Sequence, residues 1–152
     1  MTRNPRVEAR FPNLVKDGYD IESSRDPGYN CIAWAAGNNT RWWWPVGLGG
    51  YYWPRHAPAV ETVDSFIVAF ERDGYSVCET ADLEPGYEKI AIYADPSGVP
   101  THAARQLPSG LWTSKLGSSY DIEHATLEGL EGNIYGEARA ILRRRINSSS
   151  RA

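Results

Sequence analysis

Two turn signals divide one stretch of the chain into three apolar runs, and this arrangement constrains the fold more than any other part of the sequence. The runs cover residues 88–94, 99–107 and 111–116. They are separated by Asp95-Pro96-Ser97-Gly98 and by Pro108-Ser109-Gly110. Short clusters rich in Pro, Asp, Ser and Gly favour tight turns between paired strands. The sequence therefore predicts an antiparallel three-stranded meander, preceded by a strand over residues 75–79.

Helical patterns precede and follow this predicted sheet. Residues 62–73 carry apolar side chains at helical spacing, with Thr62 as N-cap and Gly74 as C-terminal stop, which predicts an amphipathic helix. Residues 31–36 are small and apolar and are followed by Gly37, so we expect a short buried helix that begins at or just before Cys31. A further helix is predicted at the C-terminal end from the spacing of Ile134, Ala138, Ile141 and Leu142 and from the basic run 143–145.

The length and composition predict one α+β domain. A chain of 152 residues with 41% hydrophobic residues can bury one core of useful size without disulfide support. We assign this domain to residues 1–146 and expect helices packed on an antiparallel sheet meander, with the helix above at its C-terminal end. Residues 1–28, rich in Pro and Gly, are predicted to be an irregular N-terminal arm, and residues 147–152 a disordered tail.

Charge and cysteine content narrow the classes of function. The net charge of -3 provides no basic surface for a phosphate backbone, so nucleic acid is not an expected partner. No apolar run is long enough to span a membrane, and the first ten residues lack the apolar core of a signal peptide. We therefore expect a cytoplasmic protein, or one exported without a cleaved leader. Cys31 and Cys78 are expected to be free thiols, with no metal site and no cofactor.

Cys31 and His102 are the candidate catalytic residues. A thiol becomes a useful nucleophile when a helix N-terminus and a histidine both favour its thiolate. Cys31 is predicted at a helix start and His102 on the second strand of the meander, so the fold would have to bring them together. Either residue alone is compatible with a structural role, Cys31 as a small buried side chain and His102 as an ordinary strand histidine. Cys78, on the other hand, is expected in the core.

Two short segments carry a resemblance to a known superfamily. Residues 29–35, Tyr-Asn-Cys-Ile-Ala-Trp-Ala, resemble the start of the cysteine-bearing helix in papain-like hydrolases. Residues 89–93, followed by a turn and by residues 100–103 with His102, resemble the strand, turn and histidine strand of the NlpC/P60 branch. The resemblance implies a cysteine that attacks a carbonyl, a histidine that accepts and returns the proton, and a third polar residue that orients the imidazole. It also implies peptidase, amidase, deamidase or acyltransferase chemistry without a cofactor.

The register of the predicted hairpin indicates which polar residue could orient the imidazole of His102. If residues 108–110 form a three-residue turn, Leu107 pairs with Leu111 and His102 faces Leu116. Ser114 is then the diagonal neighbour of His102, on the same face of the sheet. The superfamily more often has an asparagine, an aspartate or a second histidine at this place, so Asp121 is kept as the alternative third residue. Glu123 and His124 are further possibilities, with loop or capping roles as their structural alternatives.

Other residues are candidates for binding the substrate. The backbone N–H of Cys31 and the side chain of Asn30 are candidate oxyanion donors, although Asn30 is equally a helix-capping residue. The Gly- and Pro-rich loop that follows holds an unusual concentration of aromatic residues, which form either a packed flap or a substrate-facing wall. Its tryptophans Trp42, Trp43 and Trp44 are the candidate substrate contacts, together with Trp112, which shares the predicted face of His102.

Three functions are compatible with these residues. The first is a cysteine hydrolase or transferase that acts on an amide bond in a protein, a peptide or a peptidoglycan-like substrate. The second is a non-enzymatic module that binds a carbohydrate or peptide through the tryptophan-rich loop. The third is an inactive papain-like relative that serves as an adaptor or immunity protein. The sequence leaves the substrate and the oligomeric state open.

Overall fold

Seven strands form a single antiparallel sheet. The computed structural model describes residues 3–22, 28–38, 41–46, 51–116 and 120–146. The strands are β1 (Tyr19–Ile21), β2 (Ser76–Cys78), β3 (Tyr87–Ala94), β4 (Pro100–Gln106), β5 (Trp112–Lys115), β6 (Asp121–His124) and β7 (Glu137–Arg145). Their order across the sheet is β1-β6-β5-β4-β3-β7-β2. The mixture of helices and antiparallel sheet confirms the predicted α+β class.

The predicted meander is confirmed at β3, β4 and β5, and β6 extends it. Each of these strands pairs with the next along the chain. The hairpin between β4 and β5 has the predicted register, since the Leu107 N–H donates to the Leu111 carbonyl at 2.7 Å and Gln106 pairs with Trp112. Gly110 closes this turn with a φ of 92°, a left-handed conformation that favours glycine. This register places Ser114 on the same face as His102.

Two helices lie where their sequence patterns predicted them. α3 spans Cys31–Ala35 and α4 spans Val63–Glu71, each with the predicted polar N-cap. The oxygen of the Thr62 side chain accepts from the Ser65 N–H, and Phe66 and Phe70 turn inward from α4. Both helices pack on one face of the sheet, against Ile90 and Ile92 of β3, among other residues.

The N-terminal arm is more regular than expected. Residues 1–28 were predicted to be irregular, but the described part contains α1 (Pro5–Arg10), α2 (Asn13–Asp17) and the edge strand β1. Asn4 caps α1 by accepting from the Arg6 and Val7 N–H groups, and Pro5 occupies the first helical position, where its missing N–H costs nothing. Val7, Phe11 and Leu14 bury against the second face of the sheet.

The predicted C-terminal helix is wrong, because residues 137–145 form β7. β7 pairs with β3 along its length and with β2 on its other side. Its apolar side chains contact both faces of the sheet, Ala140 and Leu142 on the α3 side and Ala138 and Ile141 on the other. The arginines that suggested a basic last turn instead pair with acidic side chains, Arg143 with Glu84 and Arg144 with Glu88. The predicted tail, residues 147–152, lies outside the described residues.

The two faces of the sheet carry separate apolar cores. One core joins α3, α4, Ile90, Ile92 and Ala103, and includes Cys31. The other joins α1, α2, a short 3-10 helix (Leu127–Leu130) and residues such as Tyr93, Trp112 and Ile122. Because alternate residues of a strand point to opposite faces, neighbouring positions on β4 contribute to different cores. As a result, Cys31 packs against Ala103 on one face of the sheet, whereas His102 points to the other face.

Candidate functional site

Cys31 is the first residue of α3 and is buried, with 5% of its surface exposed. It packs in the same core as Ala103, the residue after His102 on β4. Burial raises the pKa of the Cys31 thiol to about 11, and the backbone N–H groups of Ala103, Ile32 and Cys31 itself offset only part of this rise. The expected activation by the helix start is therefore not present here: α3 has only five residues, and at neutral pH the group is a thiol.

Asn30 fixes the start of this helix. Its side-chain oxygen accepts from the Ala33 N–H at 3.2 Å and from the Trp43 N–H at 3.0 Å, and its amide group donates to the Trp43 carbonyl at 2.8 Å. The residue is 3% exposed. It thus caps α3 and holds the aromatic loop to it. The capping role considered for Asn30 is confirmed; only one of the two N–H groups of its side-chain amide is used in these contacts, and its role as an oxyanion donor stays a prediction.

Replacing Asn30 with alanine is expected to lower the free energy of unfolding by about 1–2 kcal/mol, because a helix cap is lost. The loop also loses its hydrogen bonds to the helix, so the tryptophan fluorescence of the folded protein should change. Asn30→Ser is the matched control, since a serine oxygen can cap the helix but does not reach Trp43. Urea denaturation of both variants checks this: an equal loss for serine and alanine would contradict the capping role.

His102 lies at the end of a buried chain of polar groups. Its Nε2 is 2.9 Å from Ser114 Oγ, which is 2.8 Å from Nε2 of His124. Nδ1 of His124 is 2.8 Å from the Thr126 carbonyl oxygen. All three side chains are at most 1% exposed. Ser114 thus occupies the position predicted for the third residue, but it connects His102 to His124 instead of ending the chain.

The direction of these hydrogen bonds follows from their partners. A carbonyl only accepts, so Nδ1 of His124 donates to Thr126. Burial lowers the pKa of His124 to about 4, so the ring is neutral and its Nε2 accepts the single hydroxyl proton of Ser114. Ser114 Oγ must then accept from Nε2–H of His102. Burial and the neighbouring His124 lower the pKa of His102 well below its ordinary value, so this ring is also neutral and carries its lone pair on Nδ1.

Nδ1 of His102 is buried and has no hydrogen-bond partner among the described residues. The ring of Tyr135 stacks on the imidazole with centroids 4.1 Å apart, and Tyr93 meets it edge-on at 5.2 Å. Accordingly, no hydrogen bond joins Nδ1 to the Cys31 thiol within the part of the chain described. Cys31 and His102 lie on opposite faces of the same segment of β4. Tyr135 stacks on the imidazole of His102 and also lines a cavity with Cys31.

Asp121, the alternative third residue, serves a different partner. It is 4% exposed, and its Oδ2 accepts from the Tyr29 hydroxyl at 2.6 Å. In the β5–β6 pairing it lies opposite Lys115, whose Nζ is 4.8 Å from the centre of the Tyr29 ring. These contacts tie the segment before α3 to the sheet, and the polar chain from His102 runs instead through Ser114 to His124.

The cavity beside Cys31 has a volume of about 290 Å³ and mainly aromatic walls. Trp42, Trp44, Tyr51 and Tyr135 line it, with Asn30, Cys31 and Thr101. Trp42 and Tyr51 stack on each other with ring centres 5.9 Å apart. Two of the three loop tryptophans predicted as substrate contacts therefore face this space.

The other two predicted substrate contacts lie elsewhere. Trp43 packs against the core below the loop, with its ring 4.8 Å from that of Tyr52. Trp112 is 3% exposed and belongs to the apolar core on the other face of the sheet. The face that Trp112 shares with His102 lies in the protein interior, so Trp112 is a core residue and does not line the cavity beside Cys31. Cys78 is also corrected: it is half-buried on the edge strand β2, not in the core, and both cysteines are free.

Sequence reasoning missed two residues at this site. Tyr135 lies in the turn between the 3-10 helix and β7, in a segment that looked helical, and nothing in its sequence neighbourhood links it to a histidine. His124 was a further possibility for the third residue, but its place on a strand next to Ser114 was not predicted, because the four-residue strand β6 gives no clear periodicity. Its contact with Ser114 depends on the pairing of β5 with β6, which a single sequence does not specify.

No cluster of three or more His, Cys, Asp or Glu side chains suited to a metal ion occurs among the described residues. Within the same residues, no helix has the length and apolar character needed to cross a membrane. The site is thus made of a thiol, a histidine–serine–histidine chain and an aromatic cavity.

The chain is thus an α+β protein with one antiparallel sheet, a buried cysteine at a helix start on one face of the sheet and a buried histidine–serine–histidine chain on the other. The chain belongs to the family described as a domain of unknown function, DUF7689, which matches residues 20–143. The matched range includes Cys31, His102, Ser114, His124 and Tyr135. No curated protein and no solved structure matches the chain.

Proposed function

We propose that this protein is a thiol-dependent hydrolase or transferase of the papain-like type that acts on an amide bond, with Cys31 as nucleophile and His102 as general base. The observation that carries the proposal is the polar chain that ends at His102. It fixes the tautomer of a neutral imidazole and leaves a lone pair on Nδ1 that is buried and has no hydrogen-bond partner among the described residues. His102 points to one side of β4, and Cys31 packs on the other side, in the core that holds the neighbouring residue Ala103. A buried lone pair without a partner is costly unless the site uses it.

In the proposed reaction, Nδ1 of His102 accepts the proton of the Cys31 thiol as Sγ attacks the carbonyl carbon of the substrate. The C–N bond breaks, and the departing amine takes the proton from the imidazolium. The product is a thioester on Cys31. Water or an acceptor amine then attacks the thioester carbon and loses a proton to His102. The C–S bond breaks, the acyl group leaves as a carboxylic acid or a new amide, and the imidazolium returns the proton to Sγ of Cys31. Ser114 and His124 position the imidazole throughout, and Asp121 and Asn30 act as structural residues.

Because Cys31 and His102 lie on opposite sides of β4, the proposal requires a rearrangement of this segment that brings Sγ and Nδ1 to hydrogen-bond distance when an acyl substrate enters. Catalytic hydrogen bonds in unliganded enzymes are often long and tighten only in the complex. A neutral thiol on Cys31 and a neutral imidazole on His102 are the protonation states from which general-base catalysis starts. Trp42, Trp44 and Tyr51 would contact the apolar part of a peptide or peptidoglycan-like substrate in this reaction.

A small activated ester tests the proposal without knowledge of the natural substrate. Incubation with 4-nitrophenyl acetate at pH 7 should place an acetyl group on Cys31, located by mass spectrometry of peptides, and leave Cys78 unmodified. Cys78 is the more accessible thiol, so reaction by exposure alone would favour it. Acetylation of Cys78 in preference to Cys31, or of neither, would reject the thiol-dependent enzyme.

A second candidate function is a non-enzymatic module that binds a carbohydrate or peptide in the aromatic cavity. The raised pKa of Cys31 favours it, because a buried thiol of this kind is usually inert. This candidate requires that Cys31→Ala binds a soluble peptidoglycan fragment as tightly as the unmodified protein, while replacement of Trp42 by alanine abolishes binding.

A further inference from the structure

A second cavity lies at the opposite end of β4 from the candidate catalytic residues. Its volume is about 530 Å³, within the range of roughly 300–1,000 Å³ that is typical of small-molecule sites. The start of β3 and the ends of β4 and β7 form its walls. Tyr87, Leu107 and Pro108 provide apolar surface, and the polar lining includes Arg105, Arg144 and Arg145.

Among the described residues, Arg105 has an aromatic contact but neither an ion pair nor a hydrogen bond from its guanidinium. It is half-buried on β4, between Ile90 of β3 and Thr113 of β5, and its guanidinium lies 5.6 Å from the centre of the Trp34 ring. Its Nε is buried without a hydrogen bond, and no ion pair to it occurs among the described residues. The Nε–H of Arg105 is therefore a buried donor without an acceptor, and the terminal N–H groups of the planar fork can donate to a ligand that enters the cavity.

The neighbouring charges do not neutralise Arg105. Arg144 donates to the Glu88 carboxylate and, at 3.0 Å, to the Asp73 carbonyl, which fixes its orientation. Arg145 is exposed and stacks over Tyr87 with its guanidinium 5.8 Å from the ring centre. The three arginines exceed the two acidic residues of the lining, Asp73 and Glu88, by one positive charge. An anionic group is what this cavity lacks.

We infer that this cavity binds a small ligand through an oxyanion, a carboxylate or a phosphate, held by the planar fork of Arg105. Arginine recognises both groups through paired, charge-assisted hydrogen bonds. Arg145 adds charge at the rim, and the apolar walls contact the remainder of the ligand. The inference does not depend on the proposed chemistry of Cys31, because the two cavities share no lining residue.

Titration with inorganic phosphate and, separately, with acetate tests the site. Isothermal calorimetry at constant ionic strength excludes general screening of surface charge. Saturable binding of one probe and not the other identifies the oxyanion; binding of both shows that the fork accepts either. Arg105→Gln is expected to weaken binding at least about tenfold, whereas Arg105→Lys keeps the charge but loses the fork and should lie between.

Arg6→Gln is the matched control, because it removes the same charge from an exposed position on α1 and should bind as the unmodified protein does. The Nε–H resonance of Arg105 in the unmodified protein provides a readout that needs no variant, and it should shift during the titration. If neither probe binds saturably, or if Arg105→Gln binds as tightly as Arg6→Gln, the oxyanion site is rejected.

Discussion

Replacing His102 with glutamine is expected to slow acetylation of Cys31 by roughly 10²–10⁴-fold, the usual contribution of a positioned general base. Glutamine has nearly the reach of histidine, and its amide can still donate to Ser114, so the polar chain remains. What disappears is the basic lone pair of Nδ1. The measurement is the rate of 4-nitrophenolate release under single-turnover conditions at pH 7.

His56→Gln is the matched control for this prediction, since it makes the same replacement at an exposed histidine. Circular dichroism and urea denaturation establish that each variant is folded before its rate is compared. A folded His102→Gln protein that acetylates Cys31 at the unmodified rate would remove His102 from the reaction. The thiol would then react without a base, and the enzymatic proposal would lose its second residue.

Acid is expected to destabilise the protein through the same buried histidines. Burial lowers the pKa of His124 from 6.5 to about 4, so the folded state favours the neutral ring. The unfolded chain binds the proton first, and stability is therefore present above pH 6.5 and is lost as the pH falls toward 4. His124 alone should remove about 2 kcal/mol between pH 7 and pH 5, and His102, whose pKa is also lowered, changes stability in the same direction.

The physical cause is specific to the polar chain. A protonated His124 has two donors, so its Nε2 donates to Ser114 Oγ instead of accepting from it, and the hydrogen-bond directions of the neutral chain cannot be kept. Urea denaturation at pH 7, 6 and 5 gives the slope of stability against pH. In His124→Gln the dependence of unfolding free energy on pH should decrease by the part that His124 contributes. In His56→Gln it should be the same as in the unmodified protein. Equal slopes in all three proteins would show that His124 is not held neutral.

Much of the fold could be predicted because local signals determine it. The turn residues around Gly98 and Gly110 specify the meander and its register, and the register in turn placed Ser114 beside His102. Thr62 and the apolar spacing after it specify α4. The two candidate residues of highest interest were thus positioned on the correct elements from sequence alone, although their relative geometry was not.

The errors arise where tertiary pairing overrides local preference. Residues 137–145 contain two alanines, one leucine and four arginines, which favour a helix, yet they form a strand because β3 and β2 provide partners on both sides. Asn4 and Pro5 were a recognisable helix start that the density of proline obscured. β1 and β6 are three and four residues long, too short for periodicity to reveal.

The order of the strands has a consequence for synthesis of the chain. β3 is an interior strand of the sheet, but its neighbour on one side is β7, the last strand to leave the ribosome. Until then the run from Ile90 to Tyr93 has one edge of unpaired backbone groups, beside side chains that are fully buried in the finished protein. A nascent chain that already contains the whole meander therefore remains open to pairing with a second chain, and the arrival of residues 137–145 ends that exposure.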